Sequence, residues 1–299
     1  MSWQNFVLSL LLRCKMKPMS KHALDVGKTR ALADKPVTRP RLPSGWRLRE
    51  SADPSLRGEW VERGKPGTAP RLVLYLHGGG YFLCSPRTHR PITFGLAAAA
   101  DVSLFALDYR LAPEHRFPAA LDDAVAAYRA LIGAGFAPER IAIAGDSAGG
   151  GLALATLLAL RDAGAPLPAA AALFSPWTDL AATGETLVTN DRSDVMFYGR
   201  SIGLAARFYL GDAAADTPLA SPLYGDLRGL PPLLIQASDS EVLLDDSRRL
   251  AEKAARAGVP VEVKTWHKLP HAWQLFSPFL PEAREALSEA GAFIRRHLP

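Results

Sequence analysis

Gly145-Asp146-Ser147-Ala148-Gly149-Gly150 decides how this chain is read. It follows Ile141-Ala142-Ile143-Ala144, an apolar run of strand length. It precedes Gly151 to Leu160, an apolar run of helix length. A serine between glycines at a strand-to-helix turn has a physical purpose. The turn is so tight that neighbouring side chains would collide, so Gly145 and Gly149 flank it. The hydroxyl is held clear of the sheet, and the next helix offers backbone donors and the positive end of its dipole. Taken alone, the pattern also fits a small-residue turn at close helix–sheet packing.

Working outward, strand and helix signals alternate. Arg71 to Leu76 reads as a strand ending in His77-Gly78-Gly79-Gly80-Tyr81. Three consecutive glycines are costly in chain entropy unless the backbone must approach something closely. Thr88 to Ala100 reads as a helix, and Val102 to Leu107 as a strand. Pro118 opens a helix through Ala134. Further strands are expected at Ala169 to Phe174, Leu233 to Ala237 and Val259 to Trp266, with helices at Leu243 to Ala257 and Pro281 to His297. Gly45 to Arg49 and Gly58 to Arg63 are weaker strand signals. Ser175 to Tyr224 has no strand pattern, carries two helical stretches, and reads as an insertion. Apolar strands alternating with helices predict an α/β fold with a mostly parallel sheet covered on both faces. In such a sheet, active residues gather at the carboxyl ends of the strands. The triple glycine, Ser147 and the segments after Ala237 and Trp266 all fall there.

The 299 residues are 48% hydrophobic and 22% charged, ordinary for a globular protein. Two cysteines, Cys14 and Cys84, exclude a disulfide framework or a cysteine metal site, and fit a cytoplasmic location. No apolar run reaches membrane-span length. Residues 1–50 hold 11 Lys and Arg against 3 Asp and Glu, while the remainder holds 24 against 27. Without interleaved aromatics to stack on bases, the basic segment reads as solvated surface, not a nucleic-acid contact. The short apolar run Phe6 to Leu12 has its basic residues after it, unlike a signal peptide. Trp3, Phe6, Val7, Leu10 and Leu11 recur at helical spacing, and this stripe is expected to be the inner face of a cap over the pocket.

A serine hydroxyl needs a base. In chain order serine, acid, histidine, the base belongs after the final strand, where His267 and His271 compete. Asp239, Glu241, Asp245 and Asp246 are the acids near the preceding strand end. Backbone N–H groups of Gly79, Gly80 and Ala148 are the expected oxyanion donors, with Gly78 the alternative. His77 is expected to anchor the glycine loop and Asp146 to fix the serine turn.

His77-Gly78-Gly79-Gly80, Asp108-Tyr109-Arg110-Leu111-Ala112-Pro113-Glu114, the Ser147 motif, Glu241-Val242-Leu243-Leu244-Asp245-Asp246 and His271-Ala272-Trp273 together resemble the hormone-sensitive-lipase-like family of α/β-hydrolases. The resemblance spans Gly45 to the C-terminus. It implies an α/β-hydrolase fold with a helical cap from residues 1–44 and 176–225 on a catalytic core of residues 45–175 and 226–299. It implies hydrolysis of short- to medium-chain acyl esters without cofactor or metal. It selects His271 as base and Glu241 as acid, the latter through an acid-x-Leu-x-Asp pattern. It leaves His22, His89, His115 and His297 without a role. Asp108 to Glu114 is expected to buttress the glycine loop. Cys84 departs from the family, standing where many relatives have glycine. Tyr81, Phe82, Phe197, Tyr198 and Phe208 are the candidate pocket residues. A small-molecule ester is the expected partner, with no nucleic acid and no stable membrane insertion. An exposed last strand leaves a homodimer open. Amidase or lipase action, or a non-catalytic ligand-binding protein, are the alternatives on the same fold.

Overall fold

The computed structural model describes residues 2–20, 26–33, 40–53, 56–64 and 71–299; His22 lies outside them. Two helices come first, α1 (Trp3–Met19) and α2 (Val26–Ala33). The strands are β1 (Trp46–Glu50), β2 (Gly58–Arg63), β3 (Leu72–Leu76), β4 (Ser103–Leu107), β5 (Ile141–Asp146), β6 (Ala170–Phe174), β7 (Leu233–Ser238) and β8 (Val261–Trp266). Between them run α3 (Arg90–Ala100), α4 (Ala119–Gly133), α5 (Ala148–Asp162), α6 (Thr186–Thr189), α7 (Gly199–Leu210) and α8 (Leu244–Arg256), and α9 (Pro281–His297) closes the chain. The sheet order is β1-β2-β4-β3-β5-β6-β7-β8. β3 to β8 pair in parallel; β1 and β2 join antiparallel at one edge. This is the α/β-hydrolase fold expected from the sequence. The weak strand signals before residue 64 are the antiparallel pair, and the insertion holds α6 and α7 with no strand among its residues.

Alternate residues of each central strand serve opposite faces of the sheet. Leu72, Leu74, Leu76, Ile141, Ile143, Leu173 and Ile235 pack with Leu121 of α4, Leu154 of α5 and Leu250 of α8. Val73, Tyr75, Ala142, Ala144, Ala172 and Phe174 pack with Ile92 of α3 and Phe293 of α9. Small Ala residues on β5 and β6 let those helices sit close.

The turn between β5 and α5 carries the constraint read from the sequence. Ser147 has φ 52°, a left-handed conformation that a non-glycine residue adopts only where its surroundings impose it. A Cβ on Gly149 would lie 2.1 Å from the Leu76 carbonyl oxygen and 2.5 Å from that of His77. Both are backbone atoms of the neighbouring strand end and cannot yield cheaply. Gly149→Ala is therefore expected to cost about 3 kcal/mol or more of stability, read from urea unfolding; a change below about 1 kcal/mol would contradict this packing.

α1 departs from expectation. Its buried residues are Asn5, Leu8 and Lys17, and Leu8 joins Leu269, Trp273, Phe276 and Leu280. The apolar stripe faces the other way: Trp3 is 67% exposed, Phe6 61%, Leu10 54% and Leu11 50%. It is not the inner face of a cap. The reason lies at the helix edges. Asn5 Nδ2 donates to the Lys268 carbonyl at 2.9 Å and Ser2 donates to Glu282 through N–H and Oγ. Lys17 Nζ donates to the carbonyls of Asp191 and Asp194. These polar contacts set the rotation of the helix, and hydrophobic periodicity cannot report them.

Candidate active site

The carboxyl ends of β3, β5, β6, β7 and β8 meet around Ser147. The Ser147 N–H donates to the Phe174 carbonyl at 2.8 Å. The next residue, Ser175, accepts the Ala272 N–H on its Oγ at 3.2 Å. The turn after β5 is thus tied through β6 to the loop carrying His271.

Glu241 and His271 are both buried, and His271 Nδ1 lies 2.6 Å from Glu241 Oε2. The other carboxylate oxygen, Oε1, accepts the Ser238 N–H at 2.7 Å and the Ser175 hydroxyl at 3.0 Å. A carboxylate only accepts, so it holds the His271 proton on Nδ1 and leaves Nε2 as the basic nitrogen. Nε2 is buried and has no hydrogen-bond partner among the described residues. The competing pair is accounted for. His267 Nδ1 lies 2.7 Å from Asp239 Oδ2, and this pair stands at the surface. Asp239 also accepts the Lys268 N–H at 2.7 Å. Asp245 and Asp246 open α8, as their helix N-terminal reading required. Asp246 is moreover buried and accepts the backbone N–H groups of Thr178 and Asp179.

Burial disfavours a charged His271, but the hydrogen bond to Glu241, the Glu241 charge and the charges of Asp194 and Asp146 outweigh it, and its pKa is raised above 6.5. A histidine base works only when neutral. Activity is then lost as pH falls through that raised value. The acid limb of kcat/KM is expected to have its midpoint above 6.5; a midpoint below 6.5 would contradict this electrostatic balance.

The glycine loop is fixed from beneath. Asp146 Oδ1 accepts the Gly78 N–H at 3.0 Å and the Tyr75 hydroxyl at 2.5 Å. His89 Nε2 lies 3.2 Å from Asp146 Oδ2. Tyr109 Oη donates to the His77 carbonyl at 2.7 Å, and its ring stacks on His77 at 4.2 Å. The Ala112 N–H donates to Tyr81 O at 2.9 Å. Residues 108–114 thus buttress the loop, as expected. Burial, with the neighbouring His89, pushes His77 down to about 4, so it stays neutral. Because its N–H is taken, Gly78 has none to offer a substrate. The N–H groups of Gly79, Gly80 and Ala148 have no acceptor among the described residues. Gly79 has φ 113°, and a Cβ there would lie 2.3 Å from Leu83 O. Cys84 has φ 71°, a backbone conformation that favours glycine.

The aromatic candidates divide. The Phe197 ring meets His271 edge-on at 5.3 Å, and Phe82 packs on Phe208 at 5.0 Å. Tyr198 lies under Lys17 Nζ at 4.7 Å. Tyr81 is fully buried, stacked on Tyr209 at 3.7 Å, and braces the loop from within the core.

Three supporting groups were not read from the sequence: Ser175, His89 and the segment 190–196. In that segment, Asn190 Nδ2 donates to the carbonyls of Asp239 and Glu241 at 3.0 and 2.9 Å. Asp194 accepts the N–H groups of Met196, Phe197 and Val242. Only their distance in sequence from the motifs hid them. Among the described residues no group of His, Cys, Asp and Glu is arranged to hold a metal ion.

A family profile described as an alpha/beta hydrolase fold matches residues 73–275. An acetyl-hydrolase from Streptomyces hygroscopicus is 49% identical over 237 residues, covering 79% of this chain and 79% of that protein. A solved esterase from the bacterial hormone-sensitive lipase (HSL) family is 41% identical, with TM-score 0.92 over 100% of this chain and 99% of that one. The structure of EstE5 soaked with p-nitrophenyl butyrate is 39% identical, with TM-score 0.92 over the same shares.

Proposed function

The chain belongs to the α/β-hydrolase family and is a carboxylic ester hydrolase; from that premise we propose that it cleaves short- to medium-chain acyl esters by a Ser147–His271–Glu241 triad through an acyl-enzyme intermediate. The observation that carries this reading is the buried Glu241–His271 pair, whose Nε2 is left without a partner.

In the proposed cycle His271 Nε2 takes the Ser147 proton as Oγ attacks the ester carbonyl. Glu241 holds the ring and stabilises its charged form. The N–H groups of Gly79, Gly80 and Ala148 receive the oxyanion. His271 passes its proton to the leaving alcohol, which departs. A water molecule, deprotonated by His271, attacks the acyl-enzyme, the acid leaves and Ser147 is restored. Phe82, Phe197 and Phe208 fit the role of pocket walls by their contacts. Residues 1–44 and 176–225 form the cap in this reading; the ties from Lys17 to Asp191 and Asp194 support joining them.

An organophosphonate tests the nucleophile: its mass is expected on Ser147, and labelling elsewhere with Ser147 unmodified would overturn the reading. A p-nitrophenyl ester series from acetate to laurate reads the pocket, with kcat/KM expected to peak at or below the medium chains.

A further inference from the structure

α1 presents to solvent what an amphipathic helix ordinarily buries. Trp3, Phe6, Val7, Leu10 and Leu11 form one exposed stripe. Phe279 extends it, meeting Trp3 edge-on at 5.9 Å. The helix is held in this orientation. Leu8 packs into the core beneath it, Asn5 and Ser2 bond to the 268 and 282 segments, and Lys17 is anchored in the insertion. Exposed apolar patches of this kind mark interaction surfaces.

The charges around the stripe select its partner. Residues 2–20 contain Arg13, Lys15 and Lys17 and no acidic residue. Arg13 spends its N–H groups on the carbonyls of Arg192 and Ser193 at 3.0 and 3.2 Å, which sets the exposed Arg192 beside it. Exposed Arg200 lies over the Tyr198 ring, which Lys17 also touches. Among the described residues no carboxylate pairs with Arg13, Lys15, Arg192 or Arg200. Of the acids beside the helix, Glu282 accepts from Ser2, Asp191 accepts the Gly199 N–H, and Asp194 is buried and accepts the N–H groups of Met196, Phe197 and Val242. An apolar stripe bearing Trp and Phe, with a cationic flank at one end, is the form of a helix that lies in a membrane interface.

We propose that the exposed face of α1, with Phe279, docks on the surface of an anionic phospholipid bilayer. The stripe lies shallowly among the headgroups while Arg13, Lys15, Arg192 and Arg200 face lipid phosphates. Docking sets the segment 191–198, which carries Phe197 against His271, next to the surface from which a lipophilic ester would arrive. The attachment is peripheral, since no helix among the described residues is long and apolar enough to cross a membrane. It is a binding claim and holds whether or not the triad reading does.

Co-sedimentation of the full chain with large vesicles at low salt tests it. Vesicles of phosphatidylcholine and phosphatidylglycerol in equal parts are expected to bind the chain at least about tenfold more strongly than phosphatidylcholine alone, and about 1 M salt to abolish that preference. Phe6→Glu with Leu10→Glu should lower binding at least about tenfold, with unchanged Tm and p-nitrophenyl acetate hydrolysis. Should that pair impair folding, Lys15→Glu, a fully solvated change, is expected to weaken binding to the anionic vesicles alone. Three results would overturn the proposal: no adsorption by the parent chain, adsorption by both variants equal to the parent's, or a parent dimer in light scattering that the stripe variant makes monomeric without any vesicle binding by the parent.

Discussion

Replacing Ser147 with alanine is expected to lower kcat by about four to six powers of ten while the fold survives. The two halves of this expectation rest on different observations. The Ser147 hydroxyl forms no hydrogen bond to the protein among the described residues, so its loss orphans no buried partner. The backbone groups of Ser147 hold the turn: its N–H bonds to Phe174, and its carbonyl accepts the N–H groups of Gly151 and Trp177 at 3.1 and 2.9 Å. Alanine keeps all three. Chemistry, in contrast, loses the atom that forms the acyl bond. The measurement is single-turnover release of p-nitrophenol beside a urea unfolding curve. Turnover within about tenfold of the parent would remove the serine mechanism.

The second large effect is expected at Glu241. Glu241→Gln should reduce kcat by about three to four powers of ten, although it changes one oxygen to an NH2 group. The surroundings of the carboxylate give the reason. Oε1 receives two donors, the Ser238 N–H and the Ser175 hydroxyl. In glutamine the amide oxygen must stay there, so its NH2 faces His271 Nδ1. That contact favours the tautomer with the proton on Nε2, and a protonated Nε2 cannot take a proton from serine. Asp239→Asn disturbs the surface pair with His267 and leaves an amide oxygen to accept the Lys268 N–H, so it should change kcat less than about fivefold. A larger loss in Asp239→Asn than in Glu241→Gln would reverse the assignment of the acid. Steady-state kinetics on one soluble ester decides it.

The motifs were legible because their chemistry is local. Gly145 and Gly149 are read from the turn because glycines flanking a serine mark a close backbone approach, although the Leu76 and His77 backbone they meet comes from a strand end far away in sequence. The pairing of Glu241 with His271 comes from a family resemblance; position along the chain alone leaves Asp239 and His267 as competitors. The structure separates the two pairs by burial, a property of packing against β6, α1 and the insertion. Gly78 was left open for a similar reason. The three glycines look alike in sequence, and only Asp146, at the end of the neighbouring parallel strand β5, takes the Gly78 N–H. His89 was passed over because nothing in its own vicinity marks it; Asp146, to which it is aimed, lies far along the chain.

By itself, the sequence determined the order of strands and helices, the parallel core and the serine turn, because apolar periodicity acts over a few residues and glycines beside a serine mark a tight turn whichever segment packs against it. Tertiary structure alone decided which acid meets which histidine, which glycine N–H groups stay open, and which way α1 faces. Each of these depends on polar contacts between segments far apart in the chain. A stripe of Trp3, Phe6 and Leu10 has the same period whether it faces the core or solvent. Asn5, Lys17 and Ser2 turn it outward.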